Sequence, residues 1–262
     1  MYRLKAENAA SLTELHGRLL HGAFFKLLAD IDPAAAKALH DTMGAKGFSA
    51  SLLEPEQKER AERDIAIIPG RIYRWRVCGL KDAVLNILLS LPAGVGMRAG
   101  NAQLRLVETV ADGSMDTGVV DEEGLIAGAL GINAARFLTF HFLTPATFRR
   151  DDMDYPLPLP ELVFGSLAQR WTENEMPLQI DHGRVRDMAW HVKPFHWQGR
   201  SVFGYLSKGR GITGFKGTYT YSLEGIDRSW RQIFMMLGQY AVFAGVGRLT
   251  GQGFGRVRFR WR

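Results

Sequence analysis

Cysteine is almost missing from this chain of 262 residues, and Cys78 is the only one. No internal disulfide can form, and zinc sites built from cysteine pairs are excluded, so a reducing, cytoplasmic setting is expected. Long apolar runs are also lacking. No stretch approaches the roughly 20 residues that a membrane span needs, and the longest candidate, from Ile233 to Val246, is interrupted by Gly238 and Gln239. The opening MYRLKAENAA has no apolar signal core. Neither a membrane nor secretion is expected. Three catalytic signatures are missing as well: a Gly-Lys-Ser/Thr phosphate loop, a Gly-x-Ser-x-Gly elbow and a His-Glu-x-x-His zinc helix. His191 and His196 lie five apart with no acid between them, so neither a metal nor another cofactor is expected.

Acid is scarce in two places. From Met188 to Leu223 there is no Asp or Glu, while Lys193, Arg200, Lys208, Arg210 and Lys216 fall inside the stretch. From Gly245 to Arg262 there are five arginines and again no acid. Acids gather elsewhere, at Glu54–Asp64 and Asp121–Glu123. With a net charge of +6, this segregation points to a polyanionic partner, because clustered Lys and Arg displace counterions from phosphates.

What is present is an ordinary globular composition, 46% hydrophobic and 23% charged, long enough for two cores. Tyr2–Ala6 reads as a strand. A helix follows, carried by Leu12, Leu15, Leu19, Leu20, Phe24, Leu27 and Leu28 at three- and four-residue spacings. Asp32-Pro33 opens a second short helix, as N-cap and first-turn residue. Phe48–Leu53 and Ile65–Val77 read as strands, Asp82–Leu91 as a helix and Gln103–Val110 as a strand. The order β-α-β-β-α-β is ferredoxin-like. Ala111–Gly131 reads as a connection, after which the pattern repeats. Arg136–Phe142 is a strand, Leu159–Trp171 a helix, Ala189–Gln198 and Gly214–Leu223 strands, Arg228–Phe243 a helix and Arg256–Trp261 a closing strand. The expected architecture is therefore α+β, two tandem ferredoxin-like domains over residues 1–130 and 131–262.

The segment from Gly245 to Gly255 is the most unusual. Gly245, Gly247, Gly251, Gly253 and Gly255 remove Cβ atoms, so the backbone there can approach a phosphate, with Arg248 among them. A dinucleotide fold needs strand, glycine turn, then helix; here the order is helix, glycine turn, strand. In the final strand, alternation puts Val257, Phe259 and Trp261 on one face and Arg256, Arg258, Arg260 and Arg262 on the other. Same-face residues sit about 6.5–7 Å apart, of the order of phosphate spacing. The competing reading is an edge strand protected by charge. Trp190, Phe195 and Trp197 lie among basic residues and suit base stacking, although aromatics at strand spacing more often face a core.

The glycine segment, read with Ala38-Leu-His40 running on to Phe48-Ser-Ala-Ser-Leu52, with Phe142–Phe148, with Pro156–Trp171 and with Gly214–Tyr219, resembles the CRISPR-associated repeat endoribonuclease family. That resemblance implies two ferredoxin-like domains, the first catalytic and the second binding RNA. It implies metal-free cleavage of CRISPR repeat RNA by the ribose 2′-OH, leaving a 2′,3′-cyclic phosphate and a 5′-OH. His40 and Lys46 match a His and a Lys at the same spacing in some relatives. Imidazole suits proton transfer near neutral pH, and an ammonium suits the developing phosphorane charge. A tyrosine found on the first helix of some relatives is replaced here by Phe25, which leaves a third catalytic role unassigned. His16 and His21, rotated by about 140° on the first helix, are alternatives to His40, and Tyr73 is a remote one. The bland reading of His40 is a residue placed favourably at a helix C-terminus. The implied partner is CRISPR repeat RNA, with other CRISPR effector-complex subunits and a second copy of the chain as further candidates. A non-catalytic RNA-binding scaffold of the same superfamily is the alternative.

Overall fold

The computed structural model describes residues 1–41, 47–57, 64–114, 116–131, 135–207 and 209–262, apart from the side chains at positions 38, 40, 41 and 207. The chain divides into two compact units. Unit 1 is Met1–Val119 together with Gly251–Gly253, and unit 2 is Val120–Thr250 together with Phe254–Arg262.

Unit 1 contains, in order, β1 (Tyr2–Ala6), β2 (Ala10–Leu12), α1 (Gly17–Ile31), α2 (Pro33–Asp41), β3 (Phe48–Ala50), β4 (Glu54–Pro55), β5 (Ile65–Ile67), β6 (Ile72–Trp75), β7 (Val77–Gly79), α3 (Asp82–Ser90), β8 (Gly96–Ala99) and β9 (Ala102–Thr109). Its main sheet runs β4-β6-β1-β9-β8, with every pair antiparallel. Alternation in β1 buries Tyr2, Leu4 and Ala6. The apolar stripe of α1 buries Leu20, Phe24, Leu27 and Leu28, and Phe24 meets Trp75 edge-on at 5.9 Å. The Asp32 side chain accepts from the Ala35 N–H at 2.9 Å, which starts α2.

Unit 2 contains α4 (Glu122–Leu130), β10 (Phe137–Ala146), β11 (Phe148–Arg150), β12 (Met153–Tyr155), α5 (Pro160–Glu173), α6 (His182–Ala189), β13 (Lys193–Ser207), β14 (Arg210–Ser222), α7 (Arg228–Ala244) and β15 (Val257–Trp261). Its sheet runs β13-β14-β10-β15. In each unit the first strand is flanked by the third and fourth of the ferredoxin-like set, so the first strand is central and buried. The fold is thus two tandem ferredoxin-like domains. Phe140 at the centre of β10 packs on Phe164 of α5 at 6.0 Å and on Phe259 of β15 at 5.0 Å.

Several elements differ from the sequence reading, each for a local reason. Ile65–Val77 is not one strand, because the chain turns at Gly70 with φ +81°. It breaks again at Arg76, whose backbone N–H goes to the Ser51 hydroxyl at 3.0 Å. Residues from Ala189 to Val192 are not strand: Ala189 ends α6, which is started by Asp181 accepting from the N–H groups of Gly183 and Arg184. β13 and β14 instead run on to a distant turn, pairing as far as Ser207 with Arg210. The connection read between the domains holds a helix, α4, capped by Asp121. Among the described residues no helix is long and apolar enough to cross a membrane.

Gly238 lies on the face of α7 that meets β15, and a Cβ there would fall 2.2 Å from Phe259 Cζ. Alanine normally improves a helix interior by about 1 kcal/mol over glycine. Gly238→Ala should instead destabilise unit 2 by about 1–3 kcal/mol through overpacking. Urea unfolding measures it, and a more stable variant would contradict this packing.

Candidate nucleic-acid interface and catalytic residues

The run from Gly245 to Gly255 connects α7 to β15, and neighbouring backbone requires glycine at two of its positions. Gly247 has φ +78°, and a Cβ there would fall 2.3 Å from the Thr147 carbonyl oxygen. At Gly255, φ is +66° and the clash would be with the Val246 carbonyl oxygen at 1.9 Å. Val246 N–H donates to Gly255 O, Arg248 N–H to Thr147 O and Gly255 N–H to Pro145 O, at 2.8–2.9 Å. Those amides are committed to protein carbonyls. From α5, the Arg170 guanidinium donates to Gly247 O at 3.1 Å and also to the Thr250 hydroxyl, which ties the run down from beneath. Burial lowers the pKa of this guanidinium below its ordinary value.

The tip, Gly251–Gly253, belongs to unit 1. There the Gly251 carbonyl lies 3.0 Å from His21 Nδ1 on α1. The His21 ring is stacked on Phe48 at 5.8 Å and tilted against Phe25 at 4.8 Å. A Cβ on Gly17, one turn earlier on α1, would meet the Gln252 carbonyl oxygen at 1.8 Å. The start of α1 is therefore shaped to receive this tip. Sequence reading placed His21 and the glycine run separately; their meeting had no local signal, because the two lie at opposite ends of the chain.

The remaining candidates are distributed as follows. His40 is on α2, but its side chain lies outside the described residues, as does all of Lys46. Arg248 forms an ion pair with Asp154. Arg256 is half-buried, while Arg258 and Arg260 are exposed on β15, opposite the buried Val257 and Phe259. Trp190, Phe195 and Trp197 are exposed rather than core, and Trp197 lies flat on Tyr219 at 5.6 Å. The Tyr73 hydroxyl is held between Ala66 O and the Ile68 N–H in a fully buried position. Among the described residues no three His, Cys, Asp or Glu side chains gather to hold a metal ion.

His16 is a structural residue. It is buried, its Nδ1 bonds to Thr13 O at 2.8 Å, and its Nε2 accepts the Leu53 N–H at 2.8 Å. That pair fixes the neutral Nδ1–H tautomer, and burial lowers its pKa from the ordinary 6.5.

Residues 140–257 match the family model for CRISPR-associated endoribonuclease Cas6. In signature over residues 140–257, and in fold over nearly its whole length, the chain is similar to Cas6 proteins. Two curated Cas6 relatives from Mycobacterium tuberculosis strains, CDC 1551 / Oshkosh and ATCC 25618 / H37Rv, are each 29% identical over 120 residues, which is 45% of this chain and 37% of theirs. The chain thus matches little more than a third of the length of these relatives. A Cas6 solved as a product complex is 25% identical with a TM-score of 0.74, covering 99% of this chain and 98% of that one. Thermus thermophilus Cas6 is 22% identical with a TM-score of 0.70, covering 99% and 96%, a likeness of fold. The Cas6 family model takes in most of β10, α5, the β13–β14 hairpin, α7 and the glycine run, whereas His21 and His40 fall outside it.

Because His16 is neutral when folded and takes up a proton more readily when unfolded, its contribution is present above about pH 6.5 and declines below it. His16→Ala should cost about 2 kcal/mol near pH 7.5, by leaving the Leu53 N–H without its partner. The difference from wild type should narrow towards pH 5.5 or so. Thermal melts across that range test this; a gap that does not change with pH would argue against a buried neutral imidazole.

Proposed function

We propose that this chain is a metal-independent endoribonuclease that cuts CRISPR repeat RNA. The ribose 2′-oxygen attacks the adjacent phosphorus, the bond to the 5′-oxygen breaks, and the products carry a 2′,3′-cyclic phosphate and a 5′-OH. The proton leaving the 2′-OH goes to a base, and the departing 5′-oxygen receives one from an acid. His40 serves in this proton transfer, and the Lys46 ammonium faces the charge that develops on the phosphorane. His21 is the second candidate for the imidazole role, and His16 drops out because both of its nitrogens are engaged.

The observation that carries the reading is the membership of Gly251–Gly253 in unit 1. A glycine tip suited to phosphate and the two histidine-bearing helices α1 and α2 belong to one body. The fold-wide likeness to a Cas6 solved as a product complex supports the same substrate. Gly245, Gly247, Gly253 and Gly255 act by shaping the run, which leaves the tip around Gly251 to approach the RNA backbone. Arg256 and Arg258 contribute sequence-independent phosphate contacts, and Arg248 contributes once it exchanges Asp154 for a phosphate. The same proposal places the reaction in the cytoplasm, with hand-off to other CRISPR effector subunits or pairing with a second copy.

Labelled repeat RNA incubated with the protein in EDTA should be cleaved, and a 2′-deoxy substitution at the cut site should abolish cleavage. His40→Ala should lower the single-turnover rate by about 10²–10⁴-fold with little change in binding. His21→Ala should do so instead if His21 carries the proton. Tight binding without cleavage by the wild type would favour the non-catalytic scaffold. Arg258→Ala should weaken binding and lower the salt slope by about 0.7–0.9; an unaltered slope would retire its phosphate contact.

A further inference from the structure

The four strands of the unit 2 sheet, β10, β13, β14 and β15, contain no aspartate or glutamate. Helices α5 and α7 cover the face carrying Phe140 and Phe259, as the contacts of Phe140 with Phe164 and of Phe259 with Gly238 show. Alternation then places Phe137, Thr139 and His141 of β10 on the other face, with Arg258 and Arg260 of β15. Register sets His141 directly beside Arg258 on one side and Thr218 on the other, and Thr139 beside Arg260. The Thr218 hydroxyl bonds His141 Nδ1 at 2.8 Å, which orients the ring. Burial, and then the Arg260 and Arg258 charges, hold the His141 imidazole below its ordinary pKa. Two guanidiniums beside this imidazole, on strands free of acid, form a concentrated positive potential.

Edge protection accounts for arginines on β15, which borders the sheet. It does not account for a hydroxyl-oriented histidine on β10, an interior strand. The same face carries a layered aromatic group one end along. The Arg262 guanidinium sits 4.8 Å above the Phe137 ring, and Phe137 packs at 4.6 Å on Phe195, which is 54% exposed. An open sheet with a cationic row and an exposed ring suits splayed bases, since a ring can stack only on a base that is not already stacked in a duplex.

We propose that this face holds an unpaired stretch of RNA, with a backbone phosphate seated among His141, Arg258 and Arg260 and a base on Phe195. This rests on RNA being the partner, as proposed above, but not on where the chain is cut. The site anchors; it takes no part in the chemistry.

The test uses the full chain and a labelled octauridylate, which has no repeat sequence and no hairpin, in a fluorescence-anisotropy titration. Wild type should bind it. Arg260→Ala, His141→Ala and Phe195→Ala should each weaken binding about fivefold, with Arg260→Ala lowering the salt slope by about 0.7. Arg149→Ala, which removes an exposed arginine on β11 paired with Asp152, should leave the affinity as it is. Octauridylate binding that is absent in wild type, or equal in wild type, Arg260→Ala and Phe195→Ala, overturns the proposal. So does displacement by inorganic phosphate at the concentration of RNA needed for half-saturation, which would mark a small-anion site only. Repeat cleavage by the same preparation separates the two readings. Cleavage without octauridylate binding removes this anchor and keeps the nuclease; binding that depends on these residues without cleavage does the reverse.

Discussion

A carbonyl oxygen occupies the space where a side chain at position 247 would begin, and the connection from α7 to β15 is organised around that approach. Thr147 presents the oxygen, Gly247 yields the room, and the next amide, that of Arg248, donates to the same carbonyl. With Arg170 donating from below, the neck of the run is held by hydrogen bonds at backbone distance, which leaves little freedom for the path on either side. The three-residue tip is carried from this neck into unit 1. Glycine thus serves close packing in both places, against Thr147 at the neck and against Phe48 and Leu52 at the tip.

The two units share one strand order and use it differently. In unit 1 aromatic packing gathers at α1, where Phe25 and Phe48 pack against His21 and Phe24 packs against Phe48. In unit 2 the sheet presents a face free of acid and rich in arginine. The duplicated fold thus packs aromatic rings against an imidazole in one copy and exposes arginines on an acid-free sheet in the other. The reason lies in the period of two along a strand: buried residues such as Phe140 and Phe259 make the core, and the alternate positions can be changed without cost to it.

Histidine illustrates how environment rather than residue type decides role. His16 and His21 stand on or beside the same helix, five residues apart. His16 is buried with both nitrogens engaged by backbone and acts as a latch between Thr13 and Leu53. His21 meets the glycine tip. His141 stands on an interior strand, where burial, and then the Arg260 and Arg258 charges, reduce its proton affinity. A lone histidine in the sequence could have been any of the three.

The sequence by itself determined the elements whose signals are local. Tyr2–Ala6, the stripe on α1, the Asp32 cap and the alternation in β15 were legible because side-chain period and capping chemistry act within a few residues. Segregated charge was legible for the same reason. Only the tertiary structure decided that the tip near residue 251 meets His21, that Arg170 ties down the glycine run, that His16 bonds Leu53, and that His141 lies between Thr218 and Arg258. Each is a contact between residues far apart in the chain. Such contacts depend on strand register and on where a loop is carried, and neither is written in the pattern of any single segment.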